Sequence, residues 1–197
     1  MKKKEDLRIR KTKANLYKGL LQLMENKTFE EIKVTDICQI SMINRSTFYD
    51  HFNDKYELLS SLIEDLKQEL IKHLNKTKKT NTIKEYYLEM IKQLLEYANK
   101  NISIYSSIAI IKRNNNSIAY DMMFDASLEA VNKNIEETYQ NTSNIPTEII
   151  SLFYVSGVTK VLTEAVKVPN KYSTEDILNY LEKLIPDVDY MKPMNQE

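Results

Sequence analysis

The chain has 197 residues, with 28 Lys and Arg against 28 Asp and Glu, two glycines, four prolines and one cysteine. That length suits one or two domains with a full-sized core, and the lone Cys38 excludes a disulfide framework within the chain. No apolar run follows Lys2–Lys4 and none is long enough to span a bilayer, so a soluble protein without signal peptide, in the cytoplasm and with no membrane contact, is expected. Scarce Gly and Pro, abundant Ile, Leu, Lys, Glu and Asn, and no long alternating apolar stretch predict an all-α fold of about nine helices. Charge is spread unevenly: residues 1–60 hold 12 Lys and Arg against 9 Asp and Glu, and the first 18 residues alone hold eight basic side chains. A basic front end is either a solvated terminus or an arm that meets an anion such as nucleic acid.

The first helix is expected over about 7–26, where Leu16, Leu20, Leu23 and Met24 keep helical spacing, and "ENKTFEEI" breaks it. A short helix follows near 34–41, with Val34, Ile37 and Ile40 facing in. "SMIN" makes a tight connection, and Asn44 is the candidate cap of a third helix over 45–51. "NDKYELL" opens a fourth, with Asp54 and Glu57 at capping-box spacing, running to about 75. "NKTKKTNT" (75–82) reads as a linker. The fifth helix carries apolar residues from Ile83 to Leu95 at i, i+3, i+4, i+7, i+8, i+11 and i+12. Further helices are expected over about 102–112, 116–140, 146–168 and 174–185. Pro146 suits a first turn and Ser173 a cap. Pro186 closes the last helix, and the tail from Asp187 is expected to fray.

No Gly-rich phosphate loop, HExxH or CxxC occurs, and Cys38, His51 and His73 make no recognisable metal site by spacing. The sequence therefore points to no enzyme, no metal and no cofactor. Two short helices joined by a tight turn, early in a chain with a basic front end, describe a helix-turn-helix over about 33–52. Its second helix must offer small or cationic side chains to base edges while apolar residues anchor it from behind. Arg45, Ser46 and Thr47 meet the first demand, Phe48 and Phe52 the second. An arginine can donate two hydrogen bonds to guanine O6 and N7.

The segment "IKVTDICQISMINRSTFYDHFNDKYELL" (32–59) resembles the DNA-binding signature of the TetR/AcrR family of one-component regulators. Ile37, Thr47, Tyr49, His51, Phe52, Lys55 and Leu58 fall on family-typical positions. The wording is closest to a subgroup that includes regulators of dihydroxyacetone kinase operons. The resemblance implies a DNA-binding domain over 7–68 and an effector-binding and dimerisation domain over 69–197. It implies base reading by Thr35, Arg45, Ser46 and Thr47, and phosphate contact by Tyr49, His51 and Lys55. Lys11, Lys13 and the Lys2–Lys4 arm are expected to add ionic contacts. In three places the chain departs from the family pattern. Met42 stands where the turn usually has Gly. Lys33 takes the slot of a capping Thr, so that Thr35 becomes the expected cap. Asp50 puts a carboxylate near the DNA side.

The eighth helix is apolar on more than one face, from Ile149 to Val166. One face serves the core and the other needs a cover. The family-like answer is a homodimer whose last two helices pair with their mates through Gly157, Val158, Val161, Leu162, Leu178 and Leu181. Gly157 is expected to mark close approach of another helix. Tyr86, Tyr87, Met90, Tyr105, Tyr120, Met123 and Phe124 are candidate walls of an effector pocket, with ordinary core as the competing reading. The resemblance thus implies a dimeric regulator, expected to be a repressor, that binds an inverted-repeat operator in double-stranded DNA and is released by an unknown small-molecule effector. The alternatives are an activator of the same family, or a helical interaction protein that docks a protein partner.

Overall fold

The computed structural model describes residues 7–77, 80–113, 116–167 and 171–194. Among them are nine α-helices: α1 (Leu7–Met24), α2 (Val34–Ser41), α3 (Arg45–Tyr49), α4 (Lys55–Leu74), α5 (Ile83–Lys100), α6 (Ile102–Ala109), α7 (Ile118–Thr138), α8 (Thr147–Lys167) and α9 (Thr174–Leu184). One 3-10 turn, Phe29–Glu31, precedes α2. The all-α reading holds. Two minimal strand pairs were not legible in the sequence: β1 (Lys112–Arg113) pairs antiparallel with β2 (Asn116–Ser117), and β3 (Tyr139–Asn141) with β4 (Met191–Pro193). The chain divides into two compact units, Met1–Leu66 and Lys67–Glu197.

The first unit is built on an apolar seam from every helix: Leu16 and Leu20 of α1, Ile37 of α2, Phe48 of α3 and Leu58 of α4 are fully buried. Gly19 is required where α1 crosses α2. A Cβ added there would run into the Ser41 side chain and lie 2.9 Å from Ile40 Cγ2. From the α1 side, the Tyr17 hydroxyl reaches Ser61 Oγ at 2.7 Å and donates to Asp65 Oδ2 at 2.9 Å, tying α1 to α4. Helix α2 begins at Val34, one residue ahead of the expected Thr35 cap, so Thr35 sits inside the first turn. A lysine side chain cannot accept a hydrogen bond. At this end Asp36 Oδ2 accepts from the Lys33 N–H at 3.4 Å and pairs with Lys27 at 3.3 Å. At α4, Asp54 Oδ1 accepts from the Glu57 N–H at 2.8 Å, while Glu57 reaches back to the Asn53 N–H at 2.7 Å.

In the second unit α5 buries the whole predicted stripe, Ile83, Tyr86, Tyr87, Met90, Ile91, Leu94 and Leu95. Thr82 caps it through the Glu85 N–H at 3.1 Å. Ser173 caps α9 as expected, accepting from the Asp176 N–H at 3.0 Å. Ser117 caps α7 through the Tyr120 N–H at 3.1 Å, so α7 starts later than the predicted 116. The tail does not fray over its described part. Met191 is buried, Met194 N–H donates to Thr138 O at 2.8 Å, and the Thr142 N–H donates to Tyr190 O at 2.7 Å. Pairing with β3 supplies backbone partners that a free tail would lack.

Candidate nucleic-acid interface

The interface forms where α2 stops and α3 starts. Met42 ends α2 in the left-handed conformation, φ 55° and ψ 38°. Its N–H donates to Gln39 O at 3.3 Å and the next, Ile43, to Cys38 O at 3.0 Å, so the last carbonyls of α2 are satisfied across the turn. The turn forms with Met in the glycine slot, and the Met42 side chain is 93% exposed. Asn44 then runs extended, φ −65° and ψ 145°, at the cap position of α3, without a side-chain capping bond.

Helix α3 is short, five residues, and is held from behind. Phe48 is fully buried and its ring centroid lies 5.9 Å from that of Phe52. Burying one such ring stabilises by about 2–3 kcal/mol. The other side of α3 stays open: Arg45, Ser46 and Tyr49 are exposed and Thr47 is half-buried. Arg45 lies over the Tyr49 ring, 5.9 Å from its centroid, and Tyr49 meets Phe48 edge-on at 5.4 Å. Tyr49 is therefore braced by the core residue beside it while its outer half remains free. Thr35 is exposed in the first turn of α2, and Asp50 is exposed at the end of α3. Cys38 is buried, and burial pushes its thiol pKa up.

The remaining candidates divide. His51 is half-buried beside Phe52, ring centroids 6.3 Å apart. Lys11 is exposed on α1, Lys13 is half-buried and engaged, and Lys2–Lys4 lie outside the described residues. Lys55 is engaged within the protein. Its Nζ donates to Phe29 O at 2.8 Å, Glu30 O at 2.8 Å and Ile32 O at 2.9 Å. An ammonium has three N–H groups, and here all three are used on backbone. The same nitrogen lies 4.9 Å from the Phe29 ring centroid and 5.4 Å from that of Tyr56. Lys55 therefore has no donor left for phosphate. The sequence signal was a cation in a first helical turn, where the dipole disfavours it. The structure answers it with carbonyl oxygens.

Residues 85–187 match the family model described as the C-terminal region of TetR-type transcriptional regulators. The chain belongs to the TetR family of transcriptional regulators. It is similar to the HTH-type dhaKLM operon transcriptional activator DhaS of Lactococcus lactis, 32% identical over 105 residues, 52% of this chain and 51% of that protein. It also resembles the uncharacterised HTH-type regulator YxbF of Bacillus subtilis, 38% identical over 73 residues, 36% of this chain and 19% of that one. The matched stretch thus spans about half the length of the first curated relative and about a fifth of the second. Among solved structures, the dihydroxyacetone kinase operon activator DhaS superposes with a TM-score of 0.63 at 22% identity, covering 88% of this chain and 93% of that one. A TetR-family regulator from Syntrophomonas wolfei superposes at 0.69 with 18% identity, covering 89% and 93%. The family is one of DNA-binding regulators and not of enzymes, and the likeness to DhaS agrees with the subgroup that the wording of residues 32–59 pointed to.

The C-terminal half that this family model covers holds two sets of expected residues, the pocket walls and the subunit contact. Tyr86, Tyr87, Met90, Tyr105 and Met123 are at most 1% exposed and fill the core. Tyr120 and Phe124 stack on each other half-buried, ring centroids 5.8 Å apart at 11°. In this structure their helical spacing serves packing. Larger cavities lie elsewhere: one of about 400 Å³ is lined by Leu94, Asn99, Leu162, Tyr172 and Thr174 among others, and one of about 450 Å³ lies between α8 and α9. Burial pushes the Tyr86, Tyr87 and Tyr105 phenols up, and takes Tyr97 and Tyr154 to about 12, so these groups stay protonated. The hydroxyls of Tyr87 and Tyr105 are buried without a hydrogen-bond partner among the described residues.

Of the six interface candidates, Val158, Leu162 and Leu181 face this chain's own core at 4%, 1% and 5% exposure, and Leu178 is half-buried. Gly157 is exposed, with nothing within 4 Å of where a Cβ would stand, so the close helix approach expected there does not occur within this chain. Val161 is exposed. The apolar residues left exposed are Ile149, Leu152 and Phe153 on α8 with Tyr180 and Leu184 on α9; the sequence marked all but Tyr180 as apolar positions of these helices without assigning them to the subunit contact. Ile149, Phe153, Gly157 and Val161 recur every four residues, which was the available signal.

Proposed function

We propose that this chain is a homodimeric regulator that binds an inverted-repeat operator through α2 and α3 and is controlled by a small-molecule effector held in its C-terminal unit. Base reading falls to Thr35, Arg45, Ser46 and Thr47, and phosphate contact to Tyr49, with His51, Lys11 and Lys13 as lesser contributors. The observation that carries this reading is the open face of α3, an exposed Arg45–Ser46–Tyr49 surface anchored from behind by a fully buried Phe48. Only a helix so held can bring side chains to base edges in a fixed register.

The stripe Ile149–Phe153–Gly157–Val161 supports dimerisation. It is an apolar face with a gap at its centre, suited to a second helix crossing at Gly157. The cavity of about 400 Å³ lined by Leu94, Asn99, Leu162, Tyr172 and Thr174 in the C-terminal unit supports effector binding. As to the sign of regulation, the notable similarity is to an activator, DhaS, and this favours activation over the repression expected from the family at large. The test is selection of duplexes from a random pool by the full-length protein, with the complex sized by sedimentation. An inverted repeat with half-sites roughly 34–36 Å apart, bound by two chains, is expected. A preferred site without two-fold symmetry, or no preferred site, overturns the reading in favour of a partner-docking protein.

A further inference from the structure

We propose that Lys55 is a positioning residue of the DNA-binding unit. Its ammonium holds the carbonyls of Phe29, Glu30 and Ile32, and so sets where α2 begins, without itself touching DNA. The proposal rests on the operator-binding reading. Three carbonyls converge within 2.8–2.9 Å of one nitrogen. They belong to the 3-10 turn and the residue after it, the last stretch of chain before Lys33 and α2. Carbonyls at the end of a helical turn carry partial negative charge, and a cation is the group that satisfies several at once. The cluster is closed on its sides. The Phe29 and Tyr56 rings meet edge-on at 5.3 Å, the ammonium sits against both, and the Tyr56 hydroxyl donates to Glu30 Oε2 at 2.9 Å.

The consequence for DNA binding follows from connectivity. Lys55 is the first residue of α4, directly after α3 and its Phe52 anchor, while its nitrogen is fixed to the chain that enters α2. One side chain thus clamps the segment before α2 to the segment after α3. Thr35 lies three residues beyond the last clamped carbonyl, that of Ile32, and Arg45 lies within the clamped span. A shift of about 1 Å between two reading helices is enough to misplace bidentate contacts. Loss of the clamp therefore lowers discrimination between sequences, and leaves the ionic contacts to phosphate in number as they were.

The test uses the full-length protein and the duplex that the wild type selects from a random pool, with an unrelated duplex as control. Lys55→Met keeps the stem and removes the donors. Affinity for the selected duplex is expected to fall about tenfold or more, while the unrelated duplex changes by less than about twofold and the slope of log K against log salt stays the same. If Lys55 held phosphate, the slope would flatten by about two per dimer, one per subunit, and both duplexes would lose alike; that result overturns the proposal. Lys55→Arg covers the case in which Lys55→Met fails to fold. A planar guanidinium can bind phosphate but cannot point three donors at three carbonyls around one nitrogen. Lys55→Arg should therefore remain poor at discrimination, and full restoration of wild-type binding by arginine overturns the proposal. A wild-type protein that selects no duplex sinks the operator-binding reading itself, a distinct outcome from either result with the variants.

Discussion

The two units use the same residue types to opposite ends. In the first, aromatic and hydroxyl side chains divide by face: Phe48 and Phe52 point in, while Tyr49 and Ser46 point out. In the second, Tyr86, Tyr87 and Tyr105 all point in, and two of their hydroxyls end without hydrogen-bond partners among the described residues. The contrast teaches how differently function is written in each. A surface that reads a rigid polymer needs side chains at fixed places on short, well-anchored helices, so residue type and spacing specify it. A unit that packs helices around aromatic side chains reuses one apolar code for core, pocket and subunit contact, and spacing alone cannot separate the three.

The largest effect expected from breaking this contrast lies on α8. Leu162→Glu puts an unpaired charge among buried side chains and should cost on the order of 4 kcal/mol, abolishing cooperative thermal unfolding. Phe153→Glu, on a residue 74% exposed, should leave the chain folded and convert the dimer to monomer in sedimentation. If Phe153→Glu stays dimeric, the stripe is not the subunit contact. In the first unit Arg45→Ala should cost about 1–3 kcal/mol per half-site and relax preference at one base position. Equal losses on selected and unrelated duplexes would reassign Arg45 to phosphate. The smallest effect is a gain. Met42→Gly removes a side chain that is 93% exposed from a left-handed position and should raise stability by about 1 kcal/mol in denaturant unfolding, with DNA affinity unchanged. A loss of stability there would mean that Met42 makes a contact outside this chain.

Helix positions were legible because i, i+3, i+4 spacing is a property of the chain itself. The stripe of α5, the Ser173 cap and the break at "SMIN" all fell where elementary periodicity and capping put them. The open face of α3 followed from the same rule, since Phe48 and Phe52 can share only one face. What the sequence left open was decided by contacts between segments far apart in the chain. Gly19 is a glycine because α2 comes too close to α1 for a Cβ. Lys55 meets carbonyls more than twenty residues away, so its family-like place suggested phosphate where the fold supplied backbone. The tail from Tyr190 to Met194 is ordered because β3 offers it an edge, which no local pattern announces. On α8 periodicity showed two apolar faces, but only packing against α7 could say that Val158 and Leu162 belong to this chain's core and that Phe153 stays exposed. Local propensity is fixed by neighbours in sequence, whereas the choice among equivalent apolar faces is made by whichever tertiary contact buries more surface.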